Sequence, residues 1–291
     1  MTTATGPRSD AVRAALWMVG TLLSFCAMAV AIRELSAHFG TFEILAFRSI
    51  IGVIVVGGLA LAMGRKVVRT RQMRWQVRRN VVHFAGQAGW TYGLGVLPFA
   101  TVFSIEFTMP AWTAVLAILF LGERMTRGRL VAIVGGIVGV VVILRPDLAL
   151  PDPAALIVLG AAIAYAGAHT MTKQLTHSDG SLAILFWMSV IQLPMALVFI
   201  GLGDGWTPPR ATNMPWIALV GIAALTAHFC LARALSAADA MVVMPLDFAR
   251  LPLIALVGTL LYGEVLTISV GVGAVIIAAS LMVSLHTERR A

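Results

Sequence analysis

Ten apolar runs, each close to the roughly 20 residues that cross a bilayer, constrain this chain more than any other feature. They cover residues 13–33, 42–63, 78–96, 99–121, 128–145, 153–173, 181–202, 214–233, 239–262 and 266–285. The third is interrupted by His83 and Gln87 and is rich in glycine. A water-soluble fold would need about 25% charged residues. This chain has 12% charged and 59% hydrophobic residues, with mean hydropathy +0.93. The composition therefore specifies an all-α membrane protein in which every backbone polar group is satisfied within its own helix.

The net charge of +8 is not a nucleic-acid footprint, because the cations lie in the short loops between runs. If the N-terminus is cytoplasmic, 16 of the 21 Lys and Arg residues fall on the cytoplasmic side, including the run from Arg65 to Arg79. Only Arg33, Arg145 and Arg210 fall outside, while Arg48 and Arg250 lie within spans. This positive-inside bias predicts cytoplasmic N- and C-termini. Cys26 and Cys230 both sit within predicted spans, which leaves no disulfide framework or metal-ligand spacing. A cleaved signal peptide is not expected.

The chain echoes itself at a shift of 141 positions, which carries Glu106 onto Asp247, Glu123 onto Glu264 and Leu94 onto Leu235. Two halves, residues 1–148 and 149–291, then hold five spans each. An odd span number turns the second half upside down, and such inverted repeats build a site between the halves near the bilayer midplane. The expected architecture is ten transmembrane helices in two inverted five-helix repeats around a central cavity.

Ionisable groups inside spans are expensive and mark function until a structural partner accounts for them. Glu106 and Asp247 are the leading candidates, as recognition groups for a substrate ammonium or as proton carriers. Their bland alternative is ion-paired packing. Arg250, three residues beyond Asp247 on the same helix face, is either its salt-bridge partner or a fork for a substrate carboxylate. His83, Gln87 and Trp90 share one stripe of the third span and predict a cavity wall. Tyr165 and His169 share a face of the sixth span with Thr172, and the eighth contributes His228. Ser104 and Thr108 flank Glu106, although buried hydroxyls commonly bond their own helix. Pro110, Pro245 and Pro252 are expected to shape or gate the cavity, and Arg48 to anchor or gate it. Gly86, Gly89 and the Gly135-x-x-x-Gly139 pair read as close helix contacts.

The Leu121-Gly122-Glu123 and Tyr262-Gly263-Glu264 closings, the Leu94-x-x-x-Pro98-x-Ala100 turn and the Ala46-Phe47-Arg48 run resemble the drug/metabolite transporter superfamily. More narrowly they are similar to its ten-span branch with two EamA domains, and the proportions resemble the YddG-type amino-acid exporters. The second half departs from this pattern, with Trp187 in the run corresponding to Arg48's and Asp239 in place of the turn proline. The resemblance implies a basket of ten helices with a cavity lined by spans 1, 3, 4, 6, 8 and 9.

It also implies a bacterial inner-membrane secondary transporter that exports aromatic and apolar amino acids and related small metabolites by alternating access. Efflux of drugs or cations, and a non-transporting scaffold, are the alternatives. Small four-span relatives place an acid within span one, whereas here the first acid of that span is Glu34 at its end. An enzyme is not expected, since the sequence shows no Walker loop, Rossmann fingerprint, metal spacing or triad order. No cofactor is implied. The expected partners are a small-molecule substrate and the lipid bilayer, with a monomer sufficient and no nucleic acid.

Overall fold

A computed structural model describes residues 7–121, 125–144, 152–175, 178–203, 205–237, 243 and 246–290. Among them the chain forms α1 (Pro7–Ser36), α2 (Thr41–Met63), α3 (Met73–Val96), α4 (Phe99–Glu106), α5 (Met109–Leu121) and α6 (Arg127–Leu144). There follow α7 (Pro153–Leu175), α8 (Ser181–Leu202), α9 (Met214–Ala237), α10 (Arg250–Tyr262) and α11 (Ile268–Arg290). Among the described residues, six stretches are long and apolar enough to cross a membrane, including Phe99–Leu116, which joins α4 and α5. The protein is a multi-pass membrane protein.

The helix register repeats the sequence register. A shift of 141 carries the ends of α3 onto those of α9, and the ends of α5 onto those of α10. The principal helix pairings are α1 with α9, α3 with α7, α2 with α8 and α6 with α11. Exchanging the halves turns the first pairing into the second and leaves the other two unchanged. Small residues set the spacing where α6 crosses α11. A Cβ on Gly135 would lie 2.1 Å from Ser280, and one on Gly139 would lie 2.3 Å from Ile277.

The fourth apolar run is not one kinked helix but two. α4 stops at Glu106, Phe107 and Thr108 form a turn, and α5 restarts at Met109. Pro110 therefore sits in the first turn of α5, where its missing N–H costs nothing. Thr108 closes the break: its hydroxyl donates to the Ile105 carbonyl at 2.6 Å and accepts from the Trp112 indole N–H at 3.1 Å. The second half breaks at the equivalent place, with Leu246 and Asp247 followed by a turn at Phe248–Ala249 and then α10. Pro252 lies in the first turn of α10, while Pro245 lies outside the described residues. Phe107 and Phe248, equivalent across the repeat, stack on each other with centroids 4.8 Å apart.

Both ends of the bundle are tied by polar contacts that are partly or wholly buried. At one, Arg33 on α1 bonds the Leu94 and Leu97 carbonyls and pairs with Glu264 at 3.0 Å, while Glu264 accepts the Phe99 N–H at 2.8 Å. Glu43 takes the Thr207 N–H at that same end. At the other, Asp179 accepts from the Thr70 hydroxyl, from Gln76 Nε2 at 2.8 Å and from the Ser178 hydroxyl at 3.1 Å. Glu123, which corresponds to Glu264, lies outside the described residues.

Candidate functional site

Every break in a helix frees backbone groups and lets side chains leave the lipid-facing cylinder. At the paired breaks the two halves place an acid each. Arg250, the first residue of α10, reaches both: its Nη2 lies 3.1 Å from Asp247 Oδ2 and 3.4 Å from Glu106 Oε1. On the far side of Glu106, the Trp90 indole N–H donates to Oε2 at 2.8 Å. Aromatic faces surround the guanidinium, with the ring centroids of Phe25, Phe107 and Phe103 at 4.4, 5.0 and 5.2 Å. Such contacts favour a desolvated cation and fix its plane.

The cluster is not saturated. Asp247 Oδ1, Arg250 Nε and the Ser104 hydroxyl are buried without a hydrogen-bond partner among the described residues. With all three charged groups ionised, two carboxylates oppose one guanidinium. One negative charge is left for a proton or a cationic group.

The residues contributing here come from α1, α3, α4, α7, α9, the start of α10 and the breaks before α5 and α10. Tyr165 and His228 are partly exposed, and His169 is exposed. His228 packs edge-on against Phe25 at 5.9 Å, which links α9 to the arginine's aromatic shell.

In the α3 stripe, His83, Gln87 and Trp90 are almost fully buried and bond to residues on either side. Trp90 positions Glu106. The Gln87 amide is oriented by its neighbours, with its oxygen accepting from both Arg48 Nη atoms at 2.9 Å and its nitrogen donating to Gln192 Oε1 at 2.9 Å. Gln192 Nε2 in turn lies 3.1 Å from His83 Nδ1 and 3.4 Å from Asn80 Oδ1. Thr108 serves the helix break. Gly86 and Gly89 are contact points with α7, where added Cβ atoms would lie 3.0 Å from Tyr165 and from the Ile157 carbonyl.

Sequence reasoning missed three groups. Arg79, counted there among loop cations, is an α3 residue buried to 6% exposure, with Nε donating to Thr172 at 3.1 Å and Nη1 to Asn80 at 3.0 Å. The signal was present, since Gln76, Arg79, Asn80, His83, Gln87 and Trp90 continue one helical stripe. Gln192, on α8, joins Arg48's layer to Arg79's. The Arg33–Glu264 pair joins residues too distant in sequence for any local pattern to reveal.

The pattern of the EamA-like transporter family matches residues 12–145 and again 152–285. An S-adenosylmethionine uptake transporter of Rickettsia bellii is 26% identical over 94% of this chain and 94% of its own length. Riboflavin transporters of Vibrio cholerae and Rhizobium johnstonii are 28% and 29% identical, over 92% and 97% of this chain and 91% and 94% of theirs. A solved crystal structure superposes with a TM-score of 0.68 at 16% identity, covering 95% of this chain and 98% of the other. The last of these speaks to the fold alone. These relatives carry the names of S-adenosylmethionine and riboflavin transporters, not of the amino-acid exporters that the sequence resembles.

Proposed function

The chain belongs to the EamA-like transporter family, and from that premise we propose a secondary transporter of the bacterial inner membrane for small metabolites bearing an amino-acid head group. Ten spans in two inverted repeats, residues 1–148 and 149–291, rock about the central cluster and expose it to each side in turn. Both termini are cytoplasmic, as the loop cations favour, and one chain suffices.

The observation that carries this reading is the unbalanced cluster at the paired helix breaks. Glu106 and Asp247 together outweigh Arg250, and aromatic rings surround the guanidinium between them. An ammonium or other organic cation supplies the missing positive charge, and the rings favour its apolar or aromatic remainder. When no substrate is present, a proton on either acid neutralises the same charge. This alternation couples substrate movement to a proton gradient. S-adenosylmethionine, the named substrate of one set of relatives, is itself an amino acid with an added sulfonium charge. Uptake by relatives and the export expected from sequence differ only in which gradient drives a reversible cycle.

Counterflow into proteoliposomes tests this directly, with labelled phenylalanine, methionine, S-adenosylmethionine and riboflavin, with and without an imposed pH gradient. Saturable movement of the first three, stimulated by the gradient and lost in Glu106→Gln, is the expected result. Movement of riboflavin alone would overturn the amino-acid assignment, and movement of none would overturn transport of these classes.

A further inference from the structure

Arg250 is the only one of the three buried central arginines with a carboxylate beside it among the described residues. Arg48 and Arg79 are 8% and 6% exposed, yet every partner found for them is neutral: Gln87 for the first, Thr172 and Asn80 for the second. An unpaired guanidinium held inside a membrane protein is costly, and ordinary packing would supply it with an acid. Their neutral partners form one network, because Gln192 touches Gln87, His83 and Asn80 in turn. The network holds the two guanidiniums in place without cancelling their charge.

A small pocket lined by Arg48, Ser49, Ser189 and Gln192 lies beside the first of these arginines. His83, a member of the network, packs edge-on against partly exposed Tyr165 with ring centroids 5.3 Å apart. Partly exposed His228 packs against Phe25, whose ring lies over the Arg250 guanidinium, so partly exposed side chains adjoin both charge layers. Along α3, the residue that holds Arg48 (Gln87) and the residue that holds Glu106 (Trp90) are one helical turn apart, about 4.5 Å of rise. The interior is therefore polarised, with excess negative charge at the helix breaks and excess positive charge toward the next turn of α3.

We propose that Arg48 and Arg79 form a carboxylate-binding subsite, in which the substrate's carboxylate is the missing counter-ion while its ammonium faces Glu106 and Asp247. This deepens the transport reading above and rests on it. Arg48 lies nearest the acid layer and makes the principal contact. Arg79 draws the anion from the direction of Thr172. The assignment also explains why a carrier would keep two buried cations that its own acids do not neutralise.

The test is substrate-side first and leaves the protein unaltered. Thermal stabilisation and competition binding on detergent-purified protein would compare L-phenylalanine, its methyl ester, and phenethylamine, which lacks the carboxylate. Unmodified protein is expected to favour the free carboxylate by about tenfold or more, as a charge-assisted contact allows. In Arg48→Gln and Arg79→Gln that preference falls towards unity while phenethylamine binding persists, and Arg48→Lys restores part of it. Persistent phenethylamine binding shows that the variants are folded. Equal binding of all three compounds by the unmodified protein, no binding of any, or an undiminished preference in both Gln variants overturns the subsite. If carboxylate-dependent binding follows Arg48 but proteoliposomes move nothing, the transport reading fails and the subsite stands.

Discussion

Arg250 sits where three energetic demands meet: two carboxylates, three aromatic faces and the start of a helix. Removing it leaves two enclosed acids without compensation, which typically costs about 3–5 kcal/mol. Arg250→Gln is expected to lower the thermal midpoint markedly, and adding Asp247→Asn to recover much of the loss. Because the groups touch, the double variant will not behave as the sum of the singles. A thermal-unfolding cycle of the four proteins checks this, and additive losses would count against the pairing. These three residues were legible in sequence because each interrupts an apolar run. Arg79 was overlooked despite its place in the polar stripe, because it ends a string of seven cations that reads as a loop, although Arg74, Arg78 and Arg79 all belong to α3. Burial, the property that distinguishes it, appears only when α3 starts at Met73 and turns that side chain inward.

At the scale of elements, the paired breaks matter most. The prolines announced an irregularity, but its position and closure depend on Thr108, whose two hydrogen bonds have no sequence signature. Thr108→Val retains the volume and loses both bonds, at about 1–2 kcal/mol in total for neutral groups. The loss should appear as a lower denaturation midpoint with Trp112 fluorescence altered, and an unchanged midpoint would deny Thr108 its role in the break. The α6–α11 crossing is more demanding. Gly139→Leu would push side-chain atoms into Ile277 and the Gly273 carbonyl, so misfolding or poor membrane expression is expected. Gly58→Leu, in open space on α2, serves as the control and should express normally. The small-xxx-small spacing predicted close contact, yet only the structure identifies the partner.

For the whole molecule, the two tied ends differ in what they respond to. Asp179 joins the loop after α7 to the start of α3. Burial alone would raise its pKa, but donors from Thr70, Gln76, the Arg71 N–H and Ser178 outweigh it and hold the carboxyl below its ordinary 3.8. A value depressed in the folded state means that the stabilisation is fully present above the ordinary value and is lost as pH falls through the depressed one. Hydrogen exchange of amides 70–76 should therefore be faster in Asp179→Asn than in unmodified protein near neutrality, by about tenfold for a loss near 1.4 kcal/mol. The difference should shrink well below pH 3.8. A gap that stays constant with pH would assign the effect to something other than the carboxylate.

The halves match in register, in pairings and in the positions of their breaks, but only the second has a guanidinium at its break. A shift of 141 carries Met109 onto Arg250, so the first half offers a thioether where the second offers a fixed cation. In a carrier of inverted repeats, the states open to opposite sides are related by exchange of the halves, and identical halves would give them equal free energy. A guanidinium at one break and not at the other makes them unequal. Such a carrier rests preferentially with one mouth open, and its half-saturating substrate concentration differs between the two faces of the membrane. Vesicles holding molecules of both orientations should then show two kinetic components, which become one when a single orientation is selectively silenced.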